Sequence, residues 1–392
     1  MLHPMEVIRK TIKSYGIDAI TLFISFISVI TIASFILWDA NLAKTVIDNI
    51  YSLVVSYFGS SYLILTIISF LFLIILATTK YGKHVLGGQD TSPEFSYFSW
   101  IGMLFCSGIG GGIIYWSGVE WAYYVGIPQF SIEAYSSEAY SLATAYGLFH
   151  WGLSAWSIYG IPAIALSIVF YKYNLNSLRL SSSLKGLGIP DIESSYFGRF
   201  IDLIFILATV GAAGGTIGSY IPMLSSGLTD LFNINNGFHI DIGVVLLCVT
   251  LFGYSVYRGL EKGIRILSNF NLILALVFLC LIIFSTDLKE LLQLSVSGIQ
   301  YSFSYFWNMS TLGISEPSDF AKEWTIFYWA WWVAFGPLVG LFIARISKGR
   351  SLRQVIIGML FFGTLGTWLF YLVLGGYSMN GELNNEINVV QN

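Results

Sequence analysis

An all-α protein with many membrane-spanning helices is the fold class that this sequence predicts, from three observations. Its 392 residues are 56% hydrophobic and only 10% charged, and the mean hydropathy is +0.73. Soluble domains carry about 25% charged residues, so a soluble fold of this size would lack the polar surface to cover itself. Long apolar runs recur along the chain, and basic residues collect in alternate connections between them. Transmembrane β-barrels are disfavoured, because their strands alternate polar and apolar residues.

Nine apolar runs approach or exceed the roughly 20 residues that a helix needs to cross a bilayer. They cover residues 17–38, 52–77, 97–118, 143–171, 201–228, 240–258, 265–286, 325–346 and 354–376. With the N-terminus inside, the inside segments hold all of the 19 basic residues except Lys44, Lys289 and Lys322. Inside loops of membrane proteins are enriched in Lys and Arg, so this asymmetry supports nine spans and an outside C-terminus. The polar segment 287–323 is expected to form an outer amphipathic helix followed by a loop.

The third span contains four glycines within five positions, Gly108, Gly110, Gly111 and Gly112. Each glycine costs a helix about 1 kcal/mol relative to alanine, so this stretch is expected to be unwound or easily bent. Broken helices near the middle of a membrane commonly offer backbone groups to an ion or a substrate. The alternative is close packing against another helix, because Gly108 and Gly112 form a GxxxG pair.

The fourth span contains the run FHWGLSAWSIYG, with three large aromatic residues in its apolar interior. At about 100° per residue, Trp151, Trp156 and Tyr159 can all face one side of a continuous helix. Lipid contact or core packing is the alternative. However, aromatic belts lie at the membrane interfaces, and an indole deep in the membrane needs a partner for its N–H group.

The eighth span opens with a cluster of tryptophans, Trp324, Trp329, Trp331 and Trp332. A quaternary ammonium group cannot donate hydrogen bonds, and cation–π contact with several aromatic faces is the recognition that remains. The aromatic residues of the third, fourth and eighth spans could together form such a cation-binding cage.

Polar residues near these aromatic residues have weaker interpretations. Glu120 is a functional candidate if it lies within the membrane, and a solvated or packing carboxylate if it lies at the outer end of the third span. Thr209 could offer its hydroxyl to an ion, although a threonine that bonds its own helix backbone is commoner. His150 has no obvious partner and is interpreted as structural.

Neither an enzyme nor a nucleic-acid-binding protein is indicated. The sequence contains no nucleophile–base pair, metal-ligand cluster or phosphate-binding loop. Cys106, Cys248 and Cys280 all lie in apolar runs, so a disulfide framework or a zinc site is not expected.

Several stretches together resemble the betaine/carnitine/choline transporters. The most specific is WTIFYWAWWVAFGPLVGLFIARISKGR. The stretches LGGQDTSPEFSYFSW, the glycine-rich third span, HWGLSAWSIYG and GLEKGIRILSNFN keep the same order, and the likeness covers nearly all of 80–376. The resemblance implies a twelve-helix fold, in which two leading helices precede a leucine-transporter-type core of two inverted five-helix repeats.

That fold implies a division of one transporter domain, 1–392. Residues 1–79 would form the N-terminal tail and two peripheral helices, and 80–286 the first repeat. Residues 287–323 would form the external helix and loop, and 324–392 the start of the second repeat and an external tail. Nine spans are three fewer than twelve, so the second repeat is expected to be incomplete, as in a fragment, a truncated product or one half of a split protein.

The resemblance also implies which residues hold the substrate. The family's tryptophan box maps onto Trp151, Trp156 and Tyr159, with Tyr115 and Trp331 or Trp332 as further members. We call these six residues the aromatic box.

An ion site is implied less completely. Sodium-dependent relatives use backbone groups of the glycine-rich stretch, here Cys106 to Ile109. A further site uses two hydroxyls and an aromatic ring. Thr209 matches the first hydroxyl, but the other two positions hold Ala213 and Leu338. Sodium coupling, proton coupling and exchange without an ion gradient all remain open, and sodium as a coupling ion is the one cofactor that any of them would need.

The function implied is secondary active transport of quaternary-ammonium or zwitterionic osmolytes, such as glycine betaine or carnitine, across the cytoplasmic membrane by alternating access. Proton-coupled choline relatives tend to carry an acidic residue where this chain has Gly112, which favours a zwitterion over choline. The family is often trimeric, so a homotrimer is a further expectation. Two alternatives remain open: a membrane sensor that binds without transporting, and a non-functional fragment.

Overall fold

The computed structural model describes residues 18–108, 111–175, 179–189, 191–235, 237–259, 263–315 and 317–390. Helices make up most of this part. Its first eight are α1 Ala19–Trp38, α2 Ala40–Thr78, α3 Tyr97–Gly108, α4 Gly111–Val125, α5 Ser137–Trp151, α6 Leu153–Tyr173, α7 Tyr196–Phe232 and α8 Phe238–Tyr257. The rest are α9 Arg265–Phe284, α10 Leu288–Ser304, α11 Phe306–Thr311, α12 Phe327–Ile346, α13 Leu352–Ile357, α14 Thr364–Phe370 and α15 Gly376–Leu383. Short 3-10 turns cover Lys80–Lys83, Leu180–Leu187 and Ile192–Ser194.

Eight of the described helical stretches are long and apolar enough to cross a membrane, or nine if the bent pair α3 and α4 counts as one span. All nine predicted spans fall on these helices, which confirms an all-α polytopic membrane protein. The amphipathic segment is also helical, as α10, and a loop follows α11.

The structure corrects three details of the predicted spans. The third span does not end at 118, because α4 continues to Val125. The fourth span is interrupted at Gly152, between α5 and α6. The last span does not end at 376, because its helical stretch continues to Leu383. It also contains two π-helical turns, Gly358–Gly363 and Tyr371–Gly375.

Local sequence explains where several helices begin. Asp18 Oδ1 accepts a hydrogen bond from the backbone N–H of Ile20 before α1, and Asp39 accepts one from Leu42 at the start of α2. Ser136 and Asp287 act in the same way before α5 and α10. Side-chain oxygens of this kind satisfy backbone donors that have no partner within the first helical turn.

The contacts divide the chain into two compact units. The first contains Met1–Glu94, Ile158–Ala213 and Gly313–Val355, and the second contains Phe95–Ser157, Gly214–Leu312 and Ile356–Asn392. Helices α6 and α7 each contribute residues to both.

Within the first unit, α12 packs closely on α6. A Cβ at Gly340 would lie 2.8 Å from the backbone nitrogen of Ala163, and one at Gly336 would lie 3.5 Å from Pro162. Helices that associate inside a membrane rely on van der Waals contact, and small residues four apart let their backbones approach.

The basic turn after α12 and the start of α13 lie against the end of α2 and the segment that follows it. Leu86 and Leu352 donate backbone hydrogen bonds to the carbonyls of Arg350 and His84, both at 2.9 Å. The Arg353 guanidinium donates to the carbonyl of Ala77 at 2.6 Å. Arg353 therefore satisfies a carbonyl at the end of α2 that has no partner within its own helix.

A second polar cluster in the first unit joins the residue before α1 to the beginning of α7. Arg199 lies 2.8 Å from Asp18, and Arg179 lies 2.7 Å from the buried carboxylate of Asp202. Asp202 also accepts hydrogen bonds from the backbone N–H and the hydroxyl of Ser181. These residues form what we call the Asp18–Asp202 cluster.

Within the second unit, α5 packs on α10, and α3 packs on α9. Thr144 fills the space above Gly298, and Leu272 lies 3.3 Å from where a Cβ of Gly102 would be. The indole N–H of Trp121 donates to the Ser378 hydroxyl at 2.7 Å, which fixes α4 to α15.

Candidate functional site

The break at Gly152 organises the aromatic residues of the second unit. The Trp368 indole N–H donates to the carbonyl of Leu148 at 2.8 Å, and the Thr367 hydroxyl donates to the carbonyl of Trp151 at 2.6 Å. A Cβ at Gly152 would collide with the Leu148 carbonyl. A helix can break inside a membrane only where neighbouring groups satisfy the freed backbone, and α14 supplies those groups here.

This break corrects the geometry expected for the fourth span. Trp151 ends α5, whereas Trp156 and Tyr159 lie on α6. A constant 100° per residue therefore does not relate Trp151 to the other two. Trp156 and Tyr159 remain three residues apart on one helix, so they do share a face.

Trp151 is 6% exposed, and its indole N–H donates to Glu120 Oε2 at 3.1 Å. The hydroxyl of Tyr371 donates to the same oxygen, and the hydroxyl of Tyr124 donates to Glu120 Oε1 at 2.6 Å. Glu120 itself is completely buried. We call Glu120 and its partners Tyr124, His150, Trp151 and Tyr371 the Glu120 network.

His150 belongs to this network, so the expectation that it had no partner is wrong. Its Nδ1 lies 3.1 Å from the Tyr124 hydroxyl and 3.7 Å from Glu120 Oε1. Since Tyr124 donates its only proton to Glu120, its oxygen must accept from His150. This assigns a proton to His150 Nδ1.

Trp156 is 2% exposed and packs against Gly363. A Cβ at Gly363 would overlap its indole, and a Cβ at Gly147 would overlap the ring of Tyr371. Glycines thus leave the space that these rings occupy in the second unit.

In the first unit, the structure brings Tyr159 and Trp332 together and distinguishes Trp332 from Trp331. Tyr159 and Trp332 are both buried, and their rings meet edge to face with centroids 5.3 Å apart. Trp331 instead contacts Phe327 and Phe335 of its own helix.

Tyr115 lies on α4 in the second unit and is 40% exposed, beside Trp116 at 5.2 Å between ring centroids. The helix axis bends by 52° between Tyr97–Ser107 and Gly112–Val125. The bend lies where the four glycines predicted one. Gly108 ends α3 and Gly111 begins α4, and Gly110 and Ile109 lie outside the described residues.

The two described ion-site candidates differ. The thiol of Cys106 donates to the carbonyl of Ser268 at 3.2 Å, so its side chain is engaged within the protein. Within the part of the chain that the structure describes, the buried Thr209 hydroxyl oxygen has no hydrogen-bond partner. The common case, a bond to its own helix backbone, does not occur here.

Two features of this site needed the structure. Glu120 had two open interpretations, because the predicted third span ended at 118, and the structure buries it completely on α4, which continues to Val125. Tyr371 and Trp368 carried no local signal, because their partners lie 251 and 220 residues away along the chain.

Comparison with known proteins agrees with the resemblance found in the sequence. A family model described as BCCT, betaine/carnitine/choline family transporter, matches residues 20–392. The chain is 32% identical over 376 residues to Glycine betaine transporter 1 of Vibrio parahaemolyticus, covering 94% of this chain and 70% of that protein.

Two further relatives carry other substrate names. An ectoine/hydroxyectoine transporter of Virgibacillus pantothenticus is 30% identical over 385 residues, which cover 98% of this chain and 75% of the relative. A carnitine transporter of Acinetobacter baumannii is 32% identical over 340 residues, which cover 86% of this chain and 61% of the relative. The chain thus spans between 61% and 75% of the length of these three relatives.

The family model covers nearly all of the chain, and it describes transporters rather than enzymes. Together with the described apolar helices, this makes the chain a multi-pass membrane protein. The chain belongs to the betaine/carnitine/choline transporter family.

Proposed function

We propose that this chain is a secondary active transporter of quaternary-ammonium or related zwitterionic osmolytes, working by alternating access. Glycine betaine, carnitine and ectoine are the substrate classes that the relatives' names suggest. The observation that carries the proposal is the burial of Trp151, Trp156, Tyr159 and Trp332 within apolar helices.

Cation–π contact is the proposed mode of binding. Indole and phenol faces attract a quaternary ammonium group, and desolvated contacts of this kind are worth about 2 kcal/mol or more each. The substrate's ammonium head would be held by the six residues of the aromatic box: Tyr115, Trp151, Trp156, Tyr159, Trp331 and Trp332. The edge-to-face pair of Tyr159 and Trp332 supports this arrangement, because it holds one indole in a defined orientation.

We extend the proposal to sodium as the coupling ion. Two separate ion sites are proposed. One would use backbone oxygen atoms of Cys106 to Ile109, of which Ile109 lies outside the described residues. The other would use the Thr209 hydroxyl, which has no hydrogen-bond partner in the described part of the chain. Ala213 and Leu338 offer neither a hydroxyl nor an aromatic ring, so the further hydroxyl site is incomplete.

The location proposed is the cytoplasmic membrane, with the N-terminus inside and the end of this chain outside. The distribution of the 19 basic residues supports that orientation. We also propose a homotrimer, on the strength of the family alone.

Uptake of radiolabelled glycine betaine into cells or vesicles tests the function, with and without a sodium gradient. Trp156→Leu should raise KM at least about tenfold, since it removes one or more cation–π contacts. Trp38→Leu is the matched control, because Trp38 is 79% exposed on α1.

Two results would contradict the proposal. One is an absence of uptake and of binding for betaine, carnitine and choline analogues. The other is an unchanged KM in Trp156→Leu. Ligand-dependent tryptophan fluorescence without any flux would instead support the membrane sensor.

A further inference from the structure

The proposed substrate contacts do not explain why the carboxylate of Glu120 is buried. It is completely buried on α4, inside an apolar helix. An isolated carboxylate there would be costly, so acidic side chains in such positions generally serve a function or have several partners.

Two tyrosine hydroxyls and one indole N–H donate hydrogen bonds to Glu120. Tyr124 donates to Oε1 at 2.6 Å, while Tyr371 and Trp151 donate to Oε2. Both carboxyl oxygens of Glu120 therefore accept hydrogen bonds from donors on other parts of the chain or of its own helix. His150 Nδ1, 3.7 Å from Oε1, adds a further proton-bearing group to that side.

These contacts fix Trp151 from two directions. Its indole N–H is held by Glu120, and its backbone carbonyl accepts the Thr367 hydroxyl at 2.6 Å. Its ring also lies 5.8 Å from that of Tyr371, with 39° between the planes. Trp151 is the last residue of α5 and lies directly before the Gly152 break.

We propose that Glu120 is a positioning residue for substrate binding. Its carboxylate holds the Trp151 indole in the orientation that presents the ring face to the substrate's ammonium group. Tyr371, from the π-helical turn Tyr371–Gly375, shares the same oxygen and limits the carboxylate to that position. This inference rests on the proposed function of the aromatic box.

A double-mutant cycle on substrate binding tests it. Glu120→Gln keeps the shape but replaces one acceptor oxygen by an NH₂ group, which cannot accept from Trp151 or from a tyrosine hydroxyl. The KM for glycine betaine should rise roughly tenfold to a hundredfold, as expected for the loss of a charge-assisted hydrogen bond, with little change in maximal rate.

The second arm of the cycle uses Trp151→Phe, which removes the indole N–H. In that background Glu120→Gln should change KM much less than in the wild type, because the interaction is already lost. Glu290→Gln on the outer helix α10 is the matched control and should leave KM unchanged. Thermal unfolding of each variant in detergent separates binding from stability.

Additive effects on KM in the cycle would overturn the inference, and so would a Glu120→Gln variant with unchanged KM. If Glu120→Gln does not fold, Glu120→Asp replaces it, since it keeps the charge but withdraws the carboxylate from Trp151. Its rise in KM should likewise disappear in Trp151→Phe. A wild type that neither binds nor transports glycine betaine would contradict the proposed function itself. Failure of the proposed function is therefore distinguishable from failure of the inference about Glu120.

Discussion

At the scale of single residues, glycines paired with aromatic rings shape the interior of the second unit. A Cβ at Gly358 would overlap the ring of Trp100, and a Cβ at Gly363 would overlap the indole of Trp156. Glycine is the poorest helix former after proline, so these positions weaken the helix that contains them. They are explained by packing, because helices in a membrane associate largely through close van der Waals contact.

Gly363→Ala should therefore destabilise the protein and disturb Trp156. The added methyl group forces the indole or the helix to move, at a cost of about 1–3 kcal/mol for an overpacked site. We expect a lower melting temperature in detergent and a raised KM for glycine betaine.

Gly227→Ala is the control for this change, since a Cβ at Gly227 meets nothing within 4 Å. It should leave the melting temperature equal or slightly higher, because alanine is the better helix former. Equal melting temperatures and equal KM values for the two alanine variants would contradict the packing argument.

At the scale of elements, ion pairs hold the short turns before α7 to the residue before α1. Burial tends to raise the pKa of Asp18, but hydrogen bonds from Arg199, Thr21 and the backbone of Ile20 outweigh it and lower that pKa below its ordinary 3.8. For Glu193, burial is likewise outweighed, chiefly by Lys185 and Ser182, and its pKa lies below 4.5. The partners of both carboxyl groups thus stabilise the ionised form relative to the protonated form.

Acid should loosen this part of the molecule. A group whose pKa is lowered in the folded state stabilises that state above its ordinary pKa, and the contribution is lost as the pH falls through the folded value. The melting temperature should fall as the pH drops below 4.5 and then below 3.8.

Asp18→Asn tests which residue is responsible for the acid effect. The variant should have a lower melting temperature than the wild type at neutral pH. In acid, the difference between the two melting temperatures should be smaller. Asp48→Asn, in the exposed pair of Lys44 and Asp48, should change little at either pH. A constant difference between Asp18→Asn and the wild type across this range would rule out the linkage.

At the scale of the whole molecule, apolar side chains cover the outward faces of several helices. Phe23 of α1 is 66% exposed, and Phe252 of α8 is 61% exposed. Lipid tails solvate such surfaces, whereas water would drive them together. Helix α2 has 39 residues and is about 58 Å long, so it extends beyond a hydrocarbon core of roughly 30 Å.

The orientation proposed for the chain predicts which sites a membrane-impermeant maleimide labels in intact cells. In a background without Cys106, Cys248 and Cys280, Asp48→Cys should react, because it lies in an outside segment. Lys348→Cys should react only after the membrane is permeabilised, because basic residues remain inside. Both positions are exposed, so access depends on the membrane rather than on burial. If Lys348→Cys reacts in intact cells and Asp48→Cys does not, the orientation of the chain is the opposite of the one proposed.

The sequence by itself determined the fold class and the family, and it supplied the aromatic side chains that are proposed for the site. Hydropathy and charge are properties of neighbouring residues, and they can be recognised without knowing which helices meet. Only the tertiary structure decided that Glu120 is buried among donors, that the helix breaks at Gly152, and that Trp332 contacts Tyr159. Each depends on contacts between distant parts of the chain, such as the 251 residues that separate Glu120 from Tyr371.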